Sequence, residues 1–230
     1  MARVKSKLAR AGFGARAFYF VIRTIVVGFS YTWLGLKVTG RHHLPKEGAY
    51  ILAPTHRSAM DIPIGAAASR RRLRFMGKDS LWKIRPIGAA LSALGGFPVT
   101  RGSADIEALK RCIAVLGEGE PLVLFPEGTR RFGDEIVELF DGASFLALKT
   151  NLPVVPVGIY GSEHVMASGS RRIRRSHCVM SIGAPIHPLT QAGTRASRED
   201  LASFTERLRS ALQREYDEAR SLASSQRRAK

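Results

Sequence analysis

Residues 49–61 read Ala-Tyr-Ile-Leu-Ala-Pro-Thr-His-Arg-Ser-Ala-Met-Asp, and the interpretation of the whole chain starts from them. The apolar run at residues 49–53 predicts a short buried strand. His56 stands five residues ahead of Asp61, and a regular helix would place two such side chains about 140° apart. We therefore predict that His56 lies in the loop after the strand, and that Asp61 lies in the first turn of the next helix.

The residues around Asp61 carry signals for the start of that helix. Ser58 is a candidate N-cap, and Asp61, three residues later, completes a box-like cap. Pro63 predicts a late or irregular start, because proline is tolerated only in the first helical turn.

His56 and Asp61 are also the first candidates for chemistry. Histidine exchanges a proton near neutral pH, and a buried carboxylate can orient the imidazole and stabilise its charged form. The alternative is a surface histidine beside an ordinary capping aspartate. The pair alone does not separate these two interpretations.

Beyond Arg41 the sequence alternates between strand-like and helix-like segments, which predicts a layered α/β domain. Pro156 indicates that its strand lies at a sheet edge or contains a bulge. The last helix opens with a Ser-x-x-Asp cap at Ser197. The predicted strands are 49–53, 73–76, 122–125, 154–160 and 178–182, and the predicted helices are 80–94 (interrupted at Pro86), 103–116 (capped by Ser103), 142–149 and 197–221.

The composition is that of an ordinary globular protein except for its charge. Of 230 residues, 45% are hydrophobic and 24% are charged, and the chain has no internal repeat. Lys and Arg outnumber Asp and Glu by 36 to 19, which gives a net charge of +17. We expect such a chain to have an anionic partner: lipid headgroups, nucleic acid or a phosphorylated substrate.

The two cysteines, Cys112 and Cys178, form neither a disulfide framework nor a metal-ligand spacing. Thiols this sparse fit a reducing cytosol, and we interpret both as small core residues rather than nucleophiles. Five other histidines have no comparable carboxylate partner and are interpreted as structural or exposed: His42, His43, His164, His177 and His187.

The first 46 residues contain nine Lys or Arg and no carboxylate. Residues 13–36 are almost wholly apolar, and the polar residues of this region recur every seven positions, which on a helix leaves one narrow polar stripe. These residues are Arg16, Arg23, Ser30 and Lys37. The uncharged run between Arg23 and Lys37 is 13 residues, shorter than the roughly 20 that span a bilayer. We predict a helix, broken near Gly28, that lies in or dips into one leaflet; a buried core helix is the alternative.

These patterns divide the chain into a basic, apolar membrane-association segment at 1–39, an α/β domain at 40–222, and a basic, frayed tail at 223–230. Arginine clusters at 70–74, 171–175 and 227–228 suit a surface that rests on anionic lipid, where each charge contributes about 1 kcal/mol. Nucleic acid is the alternative partner, but the sequence has no zinc-ligand, RNP or helix-turn-helix signature.

Three further segments qualify as parts of a site. Phe-Pro-Glu-Gly-Thr-Arg at residues 125–130 follows a predicted strand. There a glycine lets a ligand approach closely, and Thr129 and Arg130 can donate hydrogen bonds to phosphate. A glycine-rich segment at residues 95–101 ends in Arg101, and Val-Pro-Val at 155–157 belongs to a buried strand.

In order and separation, these segments and the His-x4-Asp pair resemble the blocks of the glycerolipid acyltransferases, most closely the lysophosphatidic acid (1-acyl-sn-glycerol-3-phosphate) acyltransferases. His56 and Asp61 match the first block, and residues 125–130 match the Phe-Pro-Glu-Gly-Thr-Arg block. Residues 96–101 are similar to another block, but Pro98 and Thr100 replace an aliphatic residue and an acid or asparagine. The resemblance implies a single layered α/β domain with a mixed central sheet flanked by helices, like that of glycerol-3-phosphate acyltransferase.

The resemblance also implies acyl transfer without a covalent enzyme intermediate. His56 is expected to take the proton from an acceptor hydroxyl as that oxygen attacks the thioester of acyl-CoA or acyl carrier protein, while Asp61 orients the imidazole. Arg130, helped by Arg101, is expected to bind the phosphate of the acceptor.

Other residues of the Phe-Pro-Glu-Gly-Thr-Arg block have secondary roles in this scheme. Glu127 is expected to position the glycerol hydroxyl or to brace the arginines. Thr129 and Gly128 are expected to contact the substrate, and a backbone N–H near Gly128 is a candidate oxyanion donor.

The expected reaction is acylation of lysophosphatidic acid to phosphatidic acid, in phospholipid biosynthesis. We expect a monotopic or peripheral enzyme on the cytoplasmic face of an anionic membrane, with no metal, no cofactor beyond the acyl co-substrate, and no specific nucleic acid partner. One alternative is an acyltransferase that acts on glycerol 3-phosphate or a glycolipid headgroup. Another is a non-catalytic protein that binds anionic lipid or nucleic acid.

Overall fold

The computed structural model describes residues 13–99, 106–166, 172–189 and 196–228. The strands are β1 Lys37–Thr39, β2 Ile51–Pro54, β3 Arg74–Lys78, β4 Gly96–Val99, β5 Leu122–Val123, β6 Val154–Tyr160 and β7 Val179–Ile182. The helices are α1 Phe13–Thr32, α2 Asp61–Gly65, α3 Arg85–Ala93, α4 Ile106–Gly117, α5 Gly142–Thr150, α6 Ser162–Val165 and α7 Arg198–Arg228. Short 3₁₀ turns cover Arg41–His43 and Asp79–Lys83.

The strands form one seven-stranded sheet in the order β1-β7-β6-β2-β5-β3-β4. β2 to β6 run in one direction, and β7 pairs antiparallel with β6, so the sheet is mixed. The predicted α/β architecture with a mixed sheet between helices is therefore confirmed. Because the five parallel strands end at the same edge, the loops that follow β2, β5 and β6 are neighbours.

The side chains of β2 alternate between two cores on opposite faces of the sheet. Ile51 and Ala53 belong to a cluster with residues of α4, α5 and α7, whereas Leu52 belongs to a cluster with Ile64 of α2 and residues of β6 and β7. Successive residues of a strand point to opposite faces, and parallel strands covered on both sides are apolar throughout. The continuous apolar run before His56 follows from this double burial.

Helix α7 packs directly on β6. A Cβ atom added at Gly158 would lie 2.2 Å from the backbone of Glu215, so only glycine permits this approach. The predicted cap is present, because Ser197 Oγ accepts from the Asp200 N–H at 3.0 Å, and the Asp200 carboxylate accepts from the Ser197 N–H at 2.8 Å. The frayed tail predicted at 223–230 is wrong as far as Arg228, since α7 continues to that residue and Ala223 is buried.

Helix α1 differs from its prediction in two respects, and the structure also shows which of its sides faces the domain. It is continuous through Gly28, and Lys37 belongs to β1 instead of extending the helical stripe. Ser30 is fully buried and the Arg23 guanidinium donates to the Ser69 carbonyl at 2.5 Å, so these two residues of the stripe face the protein. Val21 and Ile25 are exposed, whereas Val27 and Phe29 pack against the core.

The boundary of the N-terminal segment also moves. Leu34 and Leu36 are buried in the core, and β1 pairs with β7, so the sheet domain includes residues assigned by sequence to the segment 1–39. No helix in the described ranges has the length and apolarity needed to cross a membrane.

The predictions made from Pro86 and Pro156 have different outcomes. Pro86 lies in the first turn of α3 and marks its start, where its missing N–H costs nothing, so the predicted helix at 80–94 is a 3₁₀ turn followed by α3. The edge position predicted for Pro156 is wrong, because β6 lies between β7 and β2. The bulge predicted in this strand is not there either: the register with β2 is unbroken from Val154 to Val157, and the one-residue shift between Val157↔Ile182 and Val154↔Ile186 places the extra residue in the opposite segment, 183–185.

Both cysteines are buried, as predicted, and burial raises the pKa of the Cys178 thiol to about 12. The Ser103 cap proposed for α4 lies outside the described residues.

Candidate active site

The His-x4-Asp pair and the Phe-Pro-Glu-Gly-Thr-Arg block lie side by side. β2 and β5 are parallel neighbours with Ile51 opposite Leu122 and Leu52 opposite Val123. His56 follows the end of β2 by two residues, and Phe125 follows the end of β5 by two residues. The His56 ring stacks on the Phe125 ring with centroids 4.2 Å apart. Sheet register therefore brings together two blocks that are distant in sequence.

His56 is held by Asp61. The His56 Nδ1 atom lies 3.0 Å from Asp61 Oδ2, His56 is only 8% exposed and Asp61 is fully buried. A carboxylate at Nδ1 accepts the Nδ1 proton of neutral imidazole, which leaves Nε2 as the nitrogen that can accept a proton from a substrate.

The same Asp61 oxygen organises the loop. It accepts from the backbone N–H groups of Arg57 at 2.6 Å and Ser58 at 2.7 Å, while Ser58 Oγ accepts from the Met60 N–H at 3.2 Å. These bonds close the turn of residues 58–61, but the N-cap of helix α2 is Met60, which makes no side-chain cap bond, so the prediction of Ser58 as the N-cap is wrong. Helix α2 itself begins late, at Asp61, in agreement with the signal from Pro63.

Glu127 faces the interior instead of bracing Arg130. Its side chain is buried, Oε1 accepts from the His56 N–H at 2.8 Å, and Oε2 forms an ion pair with Arg57. Since both carboxylate oxygens have partners inside the protein, the prediction that Glu127 positions the glycerol hydroxyl is not supported by its geometry. Glu127 instead fixes the backbone of the loop that carries His56.

Arg57 is a buried residue beside His56 that was not predicted from the sequence. It is 3% exposed, its guanidinium lies 5.2 Å from the ring centroid of Tyr216, and it pairs with Glu127. The signal in the sequence was an arginine inside the His-x4-Asp spacing, next to the candidate base. An arginine buried this completely requires a carboxylate partner.

Residues 128–130 lie exposed on the loop after β5. Gly128 has φ +66, and a Cβ atom there would lie 2.6 Å from the Phe140 ring. Its N–H donates to the Phe125 carbonyl at 3.0 Å, and the Thr129 N–H donates to the Glu127 carbonyl at 2.7 Å. The N–H groups of Gly128 and Thr129 are therefore engaged, and the oxyanion donor expected near Gly128 stays a prediction.

The other two predicted segments, residues 95–101 and Val-Pro-Val at 155–157, lie on different strands of the sheet as far as the structure describes them. Arg101 lies outside the described residues, and β4, which precedes it, is separated from β2 by β5 and β3. The Val-Pro-Val segment lies in β6, where the Val157 carbonyl accepts from the Thr55 N–H at 2.9 Å. It supports the end of β2 from the side opposite β5. Among the described residues, no group of His, Cys, Asp and Glu has the arrangement of a metal site.

A family model described as Acyltransferase matches residues 35–160, a range that contains both blocks of the site. This chain belongs to the acyltransferase family. It is 32% identical over 175 residues to the 1-acyl-sn-glycerol-3-phosphate acyltransferase of Bacillus subtilis, which covers 76% of this chain and 84% of that relative. A chloroplastic 1-acyl-sn-glycerol-3-phosphate acyltransferase of Arabidopsis thaliana is 29% identical over 177 residues, 75% of this chain and 49% of that relative.

The crystal structure of PlsC, the 1-acyl-sn-glycerophosphate (LPA) acyltransferase from Thermotoga maritima, has the same architecture. It matches with a TM-score of 0.71 and 27% identity, over 93% of this chain and 85% of that chain. The protein is an acyltransferase enzyme, and the alternative of a non-catalytic binding protein is therefore set aside.

We expect Glu127→Gln to destabilise the protein by about 3 kcal/mol and to lower kcat. The variant leaves the Arg57 guanidinium buried without its counter-charge, and removal of one partner of a buried pair is costly. Chemical denaturation followed by circular dichroism measures the first effect, and an acyl-transfer assay measures the second.

Glu206→Gln is the matched control, because Glu206 pairs with Arg209 on the exposed surface of α7. Loss of an exposed pair is expected to leave the denaturation midpoint unchanged. Equal midpoints for the two variants would show that the buried pair does not hold the loop.

Proposed function

We propose that this enzyme transfers a fatty acyl chain from acyl-CoA or acyl carrier protein to the free hydroxyl of lysophosphatidic acid, and so forms phosphatidic acid in phospholipid biosynthesis. The observation that carries the proposal is the buried His56–Asp61 pair beside the Phe-Pro-Glu-Gly-Thr-Arg loop. The names of the relatives from Bacillus subtilis and Arabidopsis thaliana support this choice of acceptor.

In the proposed mechanism His56 acts as the general base. Its Nε2 takes the proton of the acceptor hydroxyl while the oxygen attacks the thioester carbon, and Asp61 stabilises the imidazolium that forms. The carbon–sulfur bond then breaks, and the departing thiolate accepts from Nε2 the proton that came from the acceptor hydroxyl. No acyl-enzyme is required, because the substrate alcohol has the place that serine has in a catalytic triad.

Arg130 is proposed to bind the phosphate of the acceptor, with Arg101 as its helper. Arg130 is exposed on the loop after β5, and the next residue, Arg131, donates its backbone N–H to the His56 carbonyl at 2.8 Å. This bond keeps the loop with Arg130 next to the base. A guanidinium there can bind phosphate oxygens in a bidentate manner and so select which hydroxyl faces His56.

We further propose that α1 attaches the enzyme to the cytoplasmic face of a membrane as a monotopic or peripheral anchor. Val21 and Ile25 each lie about 200° around the helix from Arg23, which contacts the domain, and they are 56% and 61% exposed. Phe13 and Phe20 are exposed as well. An outward apolar face on a surface helix is typical of a segment that lies in the interface of a bilayer.

His56→Ala is expected to lose about 10²-fold or more in the rate of phosphatidic acid formation while folding normally, since a general base contributes that much. Asp61→Asn is expected to lose activity as well, because the wrong imidazole tautomer becomes favoured. Mass spectrometry of the products, with lysophosphatidic acid and glycerol 3-phosphate offered separately, measures rate and acceptor together.

The control is His42→Ala, since His42 is an exposed residue of the turn after β1. Near-normal turnover by folded His56→Ala would refute the mechanism. Preferential acylation of glycerol 3-phosphate by the unaltered enzyme would refute lysophosphatidic acid as the acceptor.

Arg130→Ala is expected to raise the KM for the phosphorylated acceptor more than the KM for the acyl donor, because only the acceptor presents its phosphate there. Steady-state kinetics with each substrate varied in turn measures the two values. Arg131→Ala removes the same charge from the neighbouring exposed position and is expected to change the acceptor KM less. A defect confined to the donor, or equal effects of the two variants, would remove Arg130 from the phosphate site.

Val21→Ser combined with Ile25→Ser is expected to weaken sedimentation with liposomes at least about tenfold, because two aliphatic side chains no longer enter the bilayer. Ile106→Ser with Leu189→Ser is the control, since these residues are 63% and 80% exposed elsewhere. The double variant of α1 is expected to keep its activity on a soluble short-chain acceptor. Unchanged sedimentation would show that this face of α1 does not contact the membrane.

A further inference from the structure

A second feature of α1 is the cavity that it forms with the domain, on the side that carries Arg23. The cavity has a volume of about 550 Å³. Its charged lining consists of Arg23 from α1, Arg41 and Lys46 from the loop after β1, and Arg70 and Arg71 from the segment after α2. We call it the basic cavity.

The positive charge of the basic cavity has no local compensation. No Asp or Glu lines it, and within the described ranges none of its five cations forms an ion pair. The guanidinium groups bind neutral backbone oxygens instead: Arg23 donates to the Ser69 carbonyl at 2.5 Å and Arg41 to the Ala67 carbonyl at 2.9 Å. Converging like charges raise the local positive potential, which favours an anion.

The chemical type of these cations also matters. Four of the five are arginines: Arg23, Arg41, Arg70 and Arg71. Guanidinium groups suit phosphate in particular, because their forked N–H donors match two phosphate oxygens.

The surroundings of the basic cavity indicate an amphiphile rather than a free ion. Val27, Leu44 and Ala67 form apolar parts of the lining beside the arginines. The opposite face of α1 exposes Val21 and Ile25, the residues proposed above to enter the bilayer. A helix that lies in the interface would place its polar side, and therefore the basic cavity, near the headgroups.

The basic cavity is distinct from the catalytic centre. Lys46 precedes β2 and Arg70 follows α2, whereas His56 lies in the connection between β2 and α2. The two sites are thus at opposite ends of β2, a strand whose four residues span about 13 Å. The phosphate that Arg130 is proposed to bind belongs to the other end.

We propose that the basic cavity binds the phosphate-bearing headgroup of an anionic membrane phospholipid, separately from the acceptor under reaction. The bound headgroup holds the enzyme on anionic membranes and fixes the side of α1 that faces the bilayer. This inference rests on the proposed membrane contact of α1 and not on the identity of the acyl acceptor.

The test uses the double variant Lys46→Gln/Arg70→Gln, because both side chains are exposed. Its binding to phosphatidylcholine vesicles with and without phosphatidic acid is measured by sedimentation. The matched control, Lys149→Gln/Arg198→Gln, removes two exposed positive charges from α5 and α7. Thermal unfolding and activity on a soluble short-chain acceptor are measured for each protein and are expected to be unchanged.

The cavity variant is expected to lose at least about tenfold in binding to the anionic vesicles, and the control is expected to lose less. Equal losses would assign the effect to general charge and overturn the proposal. A change confined to binding of inorganic phosphate or to the KM for acyl-CoA, with vesicle binding intact, would assign the basic cavity to a soluble anion and overturn it too. If the unaltered enzyme does not bind anionic vesicles, the proposed membrane contact of α1 is refuted as well. The acyl-transfer assay tests the proposed reaction independently of that result.

Discussion

The buried ion pair between Arg57 and Glu127 joins the loop after β2 to the loop after β5. Buried pairs of this kind need not stabilise a fold more than apolar residues would, because desolvation offsets the attraction. Such a pair instead restricts the positions of its two side chains, because each charge must stay beside the other. Here that position also sets the backbone of His56, whose N–H donates to the second oxygen of Glu127. The geometry of the base therefore depends on a carboxylate 71 residues away.

The sheet makes this arrangement rigid. β2 is held between β5 and β6, and Thr55 is fixed to β6 through its N–H and through its hydroxyl, which accepts from the Ile159 N–H at 2.9 Å. The candidate site residues lie on loops that begin at the carboxyl edge of this layer, which is where α/β folds place their ligands. Residues 128–130 remain exposed, so substrate can reach the edge of a site whose supporting groups are buried.

The large positive charge has a structural meaning on the α1 side of the molecule. Arg23, Arg41 and Arg71 bind backbone carbonyls around one cavity, and no carboxylate lines it. Their concentration behind a helix with an apolar outer face is typical of a surface that contacts anionic lipid.

Local signals in the sequence determined most of the elements and the proximity of His56 and Asp61. The cap at Ser197, the bond between the Ser58 N–H and Asp61, the apolar run of β2 and the spacing of His56 and Asp61 all depend on contacts within a few residues, so the sequence predicts them. Only the tertiary structure decided that Glu127 pairs with Arg57, that Arg23 and Ser30 of α1 face the protein, and that Pro156 lies in an interior strand. These outcomes depend on which strands and helices become neighbours, and that is set by packing between segments far apart in the chain.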